Sequence, residues 1–213
     1  MNKQARLDAL CKRIEVDDVC PELAKSAQRL VFGGDNVDAA VMFIGEAPGR
    51  HEDETGQSFV GASGKLLDEM LQSIGLKRSD TYITNIVKYR PPGNRDPRPA
   101  EKAAFLPYLI EQIQIIQPKV VVTLGRHSGQ VFSPDLCIGD DHGVAFTVSV
   151  SHGGTIIKGN APHNRGKNTD GTQVSILPLY HPAAAIYNRK LRDTLFTDFR
   201  QIRKFIKDDK NTI

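Results

Sequence analysis

Four short runs of apolar and β-branched residues constrain this chain more than any other feature: VMFI at 41–44, TYITNIV at 81–87, KVVVTL at 119–124 and VSILPL at 174–179. Each is too short for a helix, and the continuous apolar character is that of strands covered on both faces. Between them lie segments of helical period. In 64–74, Leu66, Leu67, Met70, Leu71 and Ile74 fall on one stripe that Gly75 closes. Helices are also predicted over 5–14, over 21–31, where Pro21 suits a first turn, over 100–116, which Gln117-Pro118 ends, and over 191–206. Strands that alternate with helices are joined by crossovers, which makes the sheet largely parallel. The predicted fold is α/β, a three-layer α/β/α arrangement with a central four-stranded parallel sheet, in a single domain over 1–213. Residues 33–36 (GGDN) read as a turn. The Gly- and Asn-rich stretch 133–173 reads as an insertion or hairpin, with an alternating run near 144–150.

Parallel sheets place ligands beyond the carboxyl ends of their strands. The first run ends in Gly45-Glu46-Ala47-Pro48-Gly49, the second holds Asn85 near its end, and the fourth is followed by Tyr180-His181-Pro182. A carboxylate, an amide and an imidazole therefore converge on one edge, with Phe59 isolated between small residues nearby. That set suits a flat heterocycle, stacked on a ring and read by hydrogen bonds. Taken singly, each residue has a plainer reading: Glu46 as a loop carboxylate, Asn85 as a turn former, His181 as an exposed residue before proline, Phe59 as core. A P-loop is excluded, because the pattern ending at Gly64-Lys65 needs glycine at 59 and Ser or Thr at 66, where Phe59 and Leu66 stand.

Composition narrows the classes. A net charge of +3 is only mildly basic. No run approaches the roughly 18–20 apolar residues of a membrane span. The start, MNKQARLDALCKRIE, has no apolar segment of the secretory kind, and Cys11, Cys20 and Cys137 form no even disulfide framework, so a reducing cytoplasmic setting is expected. His142, His152 and His163 have no metal-ligand spacing and read as surface residues. The arm KYRPPGNRDPRP at 88–99 carries four cations among its prolines. It reads either as a solvated loop or as a phosphate-contacting one.

Three blocks, GEAPGRHEDETGQSFVGASGKLL, TNIVKYRPPGNRDPRP and HPAAAIYN, together resemble the family 4 uracil-DNA glycosylases of the uracil-DNA glycosylase superfamily. The resemblance implies a monofunctional glycosylase that flips uracil from single- or double-stranded DNA and hydrolyses its N-glycosidic bond. By position it implies Glu46 and His181 as catalytic residues, Phe59 stacking on the base, and Asn85 reading its edge. Glu52, implied to close the pocket against a thymine methyl, and Gly45 complete the substrate-binding set. Lys65, Lys88, Arg90, Ile186 and Tyr187 are implied to contact DNA, with Ile186 or Tyr187 as the duplex wedge. A monomer with no membrane association follows.

The resemblance also implies a 4Fe–4S cluster, whose four ligand positions here hold Asp17, Cys20, Tyr89 and Phe105. One cysteine cannot replace four thiolates, so no cluster and no other metal is expected, with Tyr89 and Phe105 packing in its place. Two readings compete with uracil excision: a glycosylase shifted to hypoxanthine or xanthine, and a catalytically weak DNA-damage-binding module.

Overall fold

The computed structural model describes residues 1–151, 156–158 and 171–206. In chain order its elements are α1 (Lys3–Val16), α2 (Pro21–Ser26), β1 (Gly34–Asp35), β2 (Val41–Gly45), α3 (Arg50–Thr55), α4 (Ala62–Ser73) and β3 (Thr81–Asn85). There follow α5 (Pro99–Ile116), β4 (Val120–Leu124), α6 (Arg126–Phe132), α7 (Ile138–Asp141), β5 (Phe146–Ser151), β6 (Ile156–Lys158) and β7 (Gly171–Leu179). The last helices are α8 (Pro182–Ala185), α9 (Arg189–Phe199) and, after one 3₁₀ turn, α10 (Arg203–Ile206).

The four predicted strands are β2, β3, β4 and β7, and they are parallel neighbours in the order β3-β2-β4-β7. The sheet is larger than predicted. Strand β1 adds an antiparallel edge beside β3, and the β5–β6 hairpin adds another beside β7, giving seven strands of mixed direction among the described residues. Residues 33–36 are thus partly edge strand. The alternating run near 144–150 is β5, whose Val148 and Val150 face the core.

Helices cover both faces. On one, Leu7, Leu10 and Ile14 of α1 and Phe105, Leu109 and Ile113 of α5 pack with Met42, Ile44, Tyr82 and Val121. On the other, Leu67, Met70 and Leu71 of α4 and Leu195 and Phe199 of α9 pack with Phe43, Ile83, Val122 and Leu177. Alternate side chains of one strand serve opposite cores, which is why these strands are apolar without a polar alternation. Phe43 and Phe199 stack with ring centroids 5.6 Å apart.

Two departures from the predicted boundaries have local causes. Helix α2 stops at Ser26 because buried Asp53 accepts the amide hydrogens of Gln28 and Arg29 at 2.8 and 3.3 Å, drawing that segment out of helix. Beyond β3, Ile86 and Val87 still donate to Gly45 and Glu46 carbonyls at 3.0 and 3.2 Å. Those bonds lock the ends of β2 and β3 together, where Gly45 stands in register with Asn85.

Candidate active site

A cavity of about 360 Å³ opens at the carboxyl edge of the parallel strands. Glu46, Phe59, Asn85, His181 and Glu52 all line it, so strand ends distant in sequence meet as predicted. Gly45 lies against two of these residues: a Cβ there would stand 2.6 Å from Phe59 Cζ and collide with Asn85 Oδ1. Lys65, Lys88, Arg90, Ile186 and Tyr187 are not in its lining.

Asn85 is buried at the end of β3, and its Oδ1 has no hydrogen-bond partner. An orphaned buried acceptor is costly, and it is relieved by a ligand N–H. Across the cavity, His181 caps α8, its Nδ1 accepting the Ala183 amide hydrogen at 3.1 Å. Nδ1 is thereby fixed as the acceptor, which leaves the proton on Nε2. Burial pushes this imidazole down to a pKa of about 4, so it is a neutral donor at physiological pH. Its ring centroid lies 5.9 Å from that of Phe59.

Glu46 is the strained charge of the site. Its Oε1 is buried without a hydrogen bond, and desolvation, with repulsion from Asp96, raises its pKa from 4.5 to about 7. Lys102 and Arg126 pull the other way. His127 Nε2 lies 3.5 Å from Glu46 Oε1 and 3.2 Å from Asp96 Oδ2, joining two carboxylates through one imidazole. Sequence reasoning missed both Asp96 and His127. Asp96 lies within the second block but among its cations and prolines, His127 lies on α6, which no motif marks, and only the fold brings them to Glu46.

Phe59 adopts φ +54°, a left-handed conformation that costs a residue with a Cβ roughly 1–2 kcal/mol. The surroundings enforce it. Glu52 Oε1 accepts the amide hydrogens of Val60 and Gly61, both at 2.9 Å, and Oε2 accepts that of Gly49 at 3.1 Å. Gly64 lies so close that a Cβ there would collide with the Phe59 carbonyl. Glu52 therefore binds the loop's backbone as well as lining the cavity.

The DNA-contacting assignments need one correction. Lys88 is fully buried, and its Nζ donates to Thr84 Oγ1 and Asn85 O at 2.7 Å and to Gln112 Oε1 at 2.6 Å. It is a core residue out of reach of phosphate. Two of its basic neighbours in the arm are also engaged. Arg90 donates to Asn94 Oδ1 at 2.7 Å, and Arg95 makes a forked pair with Glu101 at 2.6 and 2.9 Å. The arm's contribution to the cavity is Pro91 and residues 94–97. Tyr187 is 97% exposed and Ile186 half-buried just past α8, while Lys65 is exposed on α4. His142 is half-buried, not a surface residue: Nδ1 lies 2.6 Å from Asp198 Oδ2 and the ring 4.6 Å from that of Tyr180. His152 and His163 lie outside the described residues.

At the four positions of the cluster, Tyr89 and Phe105 meet edge to face with centroids 6.0 Å apart, and Asp17 Oδ2 accepts the Tyr108 hydroxyl at 2.6 Å. The Cys20 thiol lies 3.9 Å from the Glu101 carbonyl. One thiolate donor among two aromatic rings and a carboxylate already bonded does not fit an iron–sulfur cluster.

The family model of the uracil DNA glycosylase superfamily matches residues 32–206. Among curated proteins, the chain is 41% identical to the type-4 uracil-DNA glycosylase of Archaeoglobus fulgidus, over 92% of this chain and 91% of that one. It is 45% identical to the protein of the same name from Sulfurisphaera tokodaii, over 78% and 70% of the two chains. To that of Thermotoga maritima it is 34% identical, over 97% and 98%. With a cavity of this make-up at the expected edge, and relatives of this extent, the chain belongs to the uracil-DNA glycosylase superfamily.

Proposed function

We propose that this protein is a monofunctional uracil-DNA glycosylase, removing uracil from DNA and leaving an abasic site. The observation that carries this reading is the pairing of an orphaned acceptor, Asn85 Oδ1, with a tautomer-fixed donor, His181 Nε2, across a cavity walled by Phe59. Asn85 Oδ1 suits uracil N3–H and its amide nitrogen suits O4, whereas cytosine presents the opposite edge. Phe59 replaces stacking lost when the base leaves the helix, worth about 1–3 kcal/mol.

The chemistry follows from the charges. The bond from uracil N1 to the sugar carbon breaks with its electron pair going to the base. His181 Nε2–H donates to a uracil carbonyl oxygen as negative charge grows there. Ionised Glu46 faces the cationic sugar, orients a water, and takes its proton as the new carbon–oxygen bond forms. A carboxylate with a pKa of about 7 is a better base than an ordinary one and is still ionised often enough to act.

Lys65 and the exposed Tyr187 with Ile186 fit roles in DNA contact and in wedging the duplex. The reading includes no iron–sulfur cluster, because the ligand positions do not supply its thiolates. A single-domain cytoplasmic monomer acting on single- or double-stranded DNA completes it, and three free cysteines accord with a reducing compartment. The test is strand scission after alkali on an oligonucleotide carrying one uracil, with Asn85→Ala and His181→Ala as folded controls. Intact strands at excess wild-type protein would reject the proposal, and hypoxanthine or xanthine oligonucleotides in the same panel would reveal a shifted base choice. Binding at low salt without base release would identify a damage-binding module instead.

A further inference from the structure

We propose that Arg78 is the positioning residue of the stacking platform, holding Phe59 in its left-handed conformation so that the ring is set before a base arrives. Arg78 lies in the turn before β3, far in sequence from the loop it touches. Its Nη1 donates to the Phe59 carbonyl at 2.9 Å and its Nη2 to the Ser58 carbonyl. From the other side, Glu52 accepts the next two amides, Val60 and Gly61. Four consecutive residues, 58–61, thus have one backbone polar group each held by a guanidinium or a carboxylate. Phe59, with φ +54°, lies between these two anchors.

The guanidinium is itself aimed. Nη1 also reaches Asp68 Oδ1 at 3.2 Å, and Nε lies 3.4 Å from Asp35 Oδ2. Two carboxylates fix the plane of the fork, and a planar fork is what bridges adjacent carbonyls. Arg78 does not line the cavity, so it acts on a bound base through Phe59 alone. Without the fork, Phe59 relaxes to an ordinary backbone conformation and its ring leaves its place beside Gly45.

The inference rests on the reading of the cavity as a uracil pocket, and the experiment separates the two. Wild type, Arg78→Met, Arg78→Lys and the double variant Asp35→Asn/Asp68→Asn are compared for kcat and KM on a uracil oligonucleotide, and for inhibition by free uracil. Arg78→Met is expected to raise KM and the uracil inhibition constant about tenfold, the loss of one good stack, with kcat changed by less than about threefold. Arg78→Lys, with one point donor in place of a fork, is expected to fold and to remain impaired on both constants. The Asp35/Asp68 double variant keeps oxygen acceptors and both carbonyl bonds, and is expected to lose thermal stability with its uracil inhibition constant near wild type. Wild-type constants in Arg78→Met, full rescue by Arg78→Lys, or an equal rise in the double variant would each overturn the inference. If Arg78→Met does not fold, Arg78→Lys alone decides it. Absence of uracil release by wild type would instead overturn the pocket's assignment.

Discussion

Glu46 places activity and stability in opposition. Its pKa in the fold, about 7, lies above the ordinary 4.5, so the folded state binds the proton more tightly than the unfolded chain. Stability is then lost as pH rises from about 4.5 through 7, the same interval over which the active carboxylate forms. The excision rate should climb with pH and level off above about 7. Glu46→Gln should flatten that profile, lower the rate about a hundredfold or more, and unfold at higher temperature than wild type above pH 7. A pH series of rates and melting curves checks both halves. His181 acts in the reverse sense, since its folded pKa of about 4 lies below the ordinary 6.5, and stability is lost as pH falls through that range. A second residue-scale outcome concerns Lys88. Burial lowers its pKa strongly, yet Thr84 Oγ1 already donates to Phe32 O at 2.7 Å, so all three neighbours of Nζ are acceptors. Lys88→Met strands those acceptors and should cost about 3 kcal/mol in urea unfolding, with DNA affinity in low salt unchanged. Glu46, Asn85 and His181 were legible because each sits at a strand end, and Phe59 because it stands alone among small residues in the loop before α4. Lys88 was misplaced because a lysine before a proline-rich arm reads as surface, and only the fold shows the core closing over it.

Among the elements, the four buried strands were readable because cores on both faces leave them continuously apolar. Strand β1 is two residues long and carries a glycine, so no strand's composition marked it, whereas β5 showed as an alternating run and only its pairing onto β7 was hidden. Helix α3 is composed of RHEDET, with no apolar stripe to announce it. It forms because the Glu52 carboxylate accepts the Gly49 amide hydrogen at 3.1 Å and Gly56 ends it in a left-handed turn. The beginning of α4 is where element and site are joined. Gly64 lets the helix approach the Phe59 carbonyl, so Gly64→Ala should cost about 3 kcal/mol by forcing them apart. KM should rise with it, because the displaced segment carries the ring. Urea titration and steady-state rates on one preparation measure the two effects together.

For the molecule as a whole, the region that resembles a cluster site is packed with side chains. Arg13 lies over the Tyr108 ring, 5.5 Å from its centroid, and pairs with Glu111, while Tyr108 in turn bonds Asp17. These contacts tie α1 to α5 without metal. The melting temperature should therefore be the same with and without a strong iron chelator, and iron analysis of protein purified without oxygen should find substoichiometric metal. A chelator-induced fall of more than about 4 °C, the equivalent of roughly 1 kcal/mol, would contradict the packing argument. The parallel register also orders the making of the site. Glu46 follows β2, Asn85 ends β3 and His181 follows β7, so of these three cavity residues the imidazole is the last to be synthesised. A chain broken before β7 carries the platform residue and the carboxylate but not the donor that draws charge onto the base. Translation products that stop before His181 lack that donor and are expected to release no base from DNA.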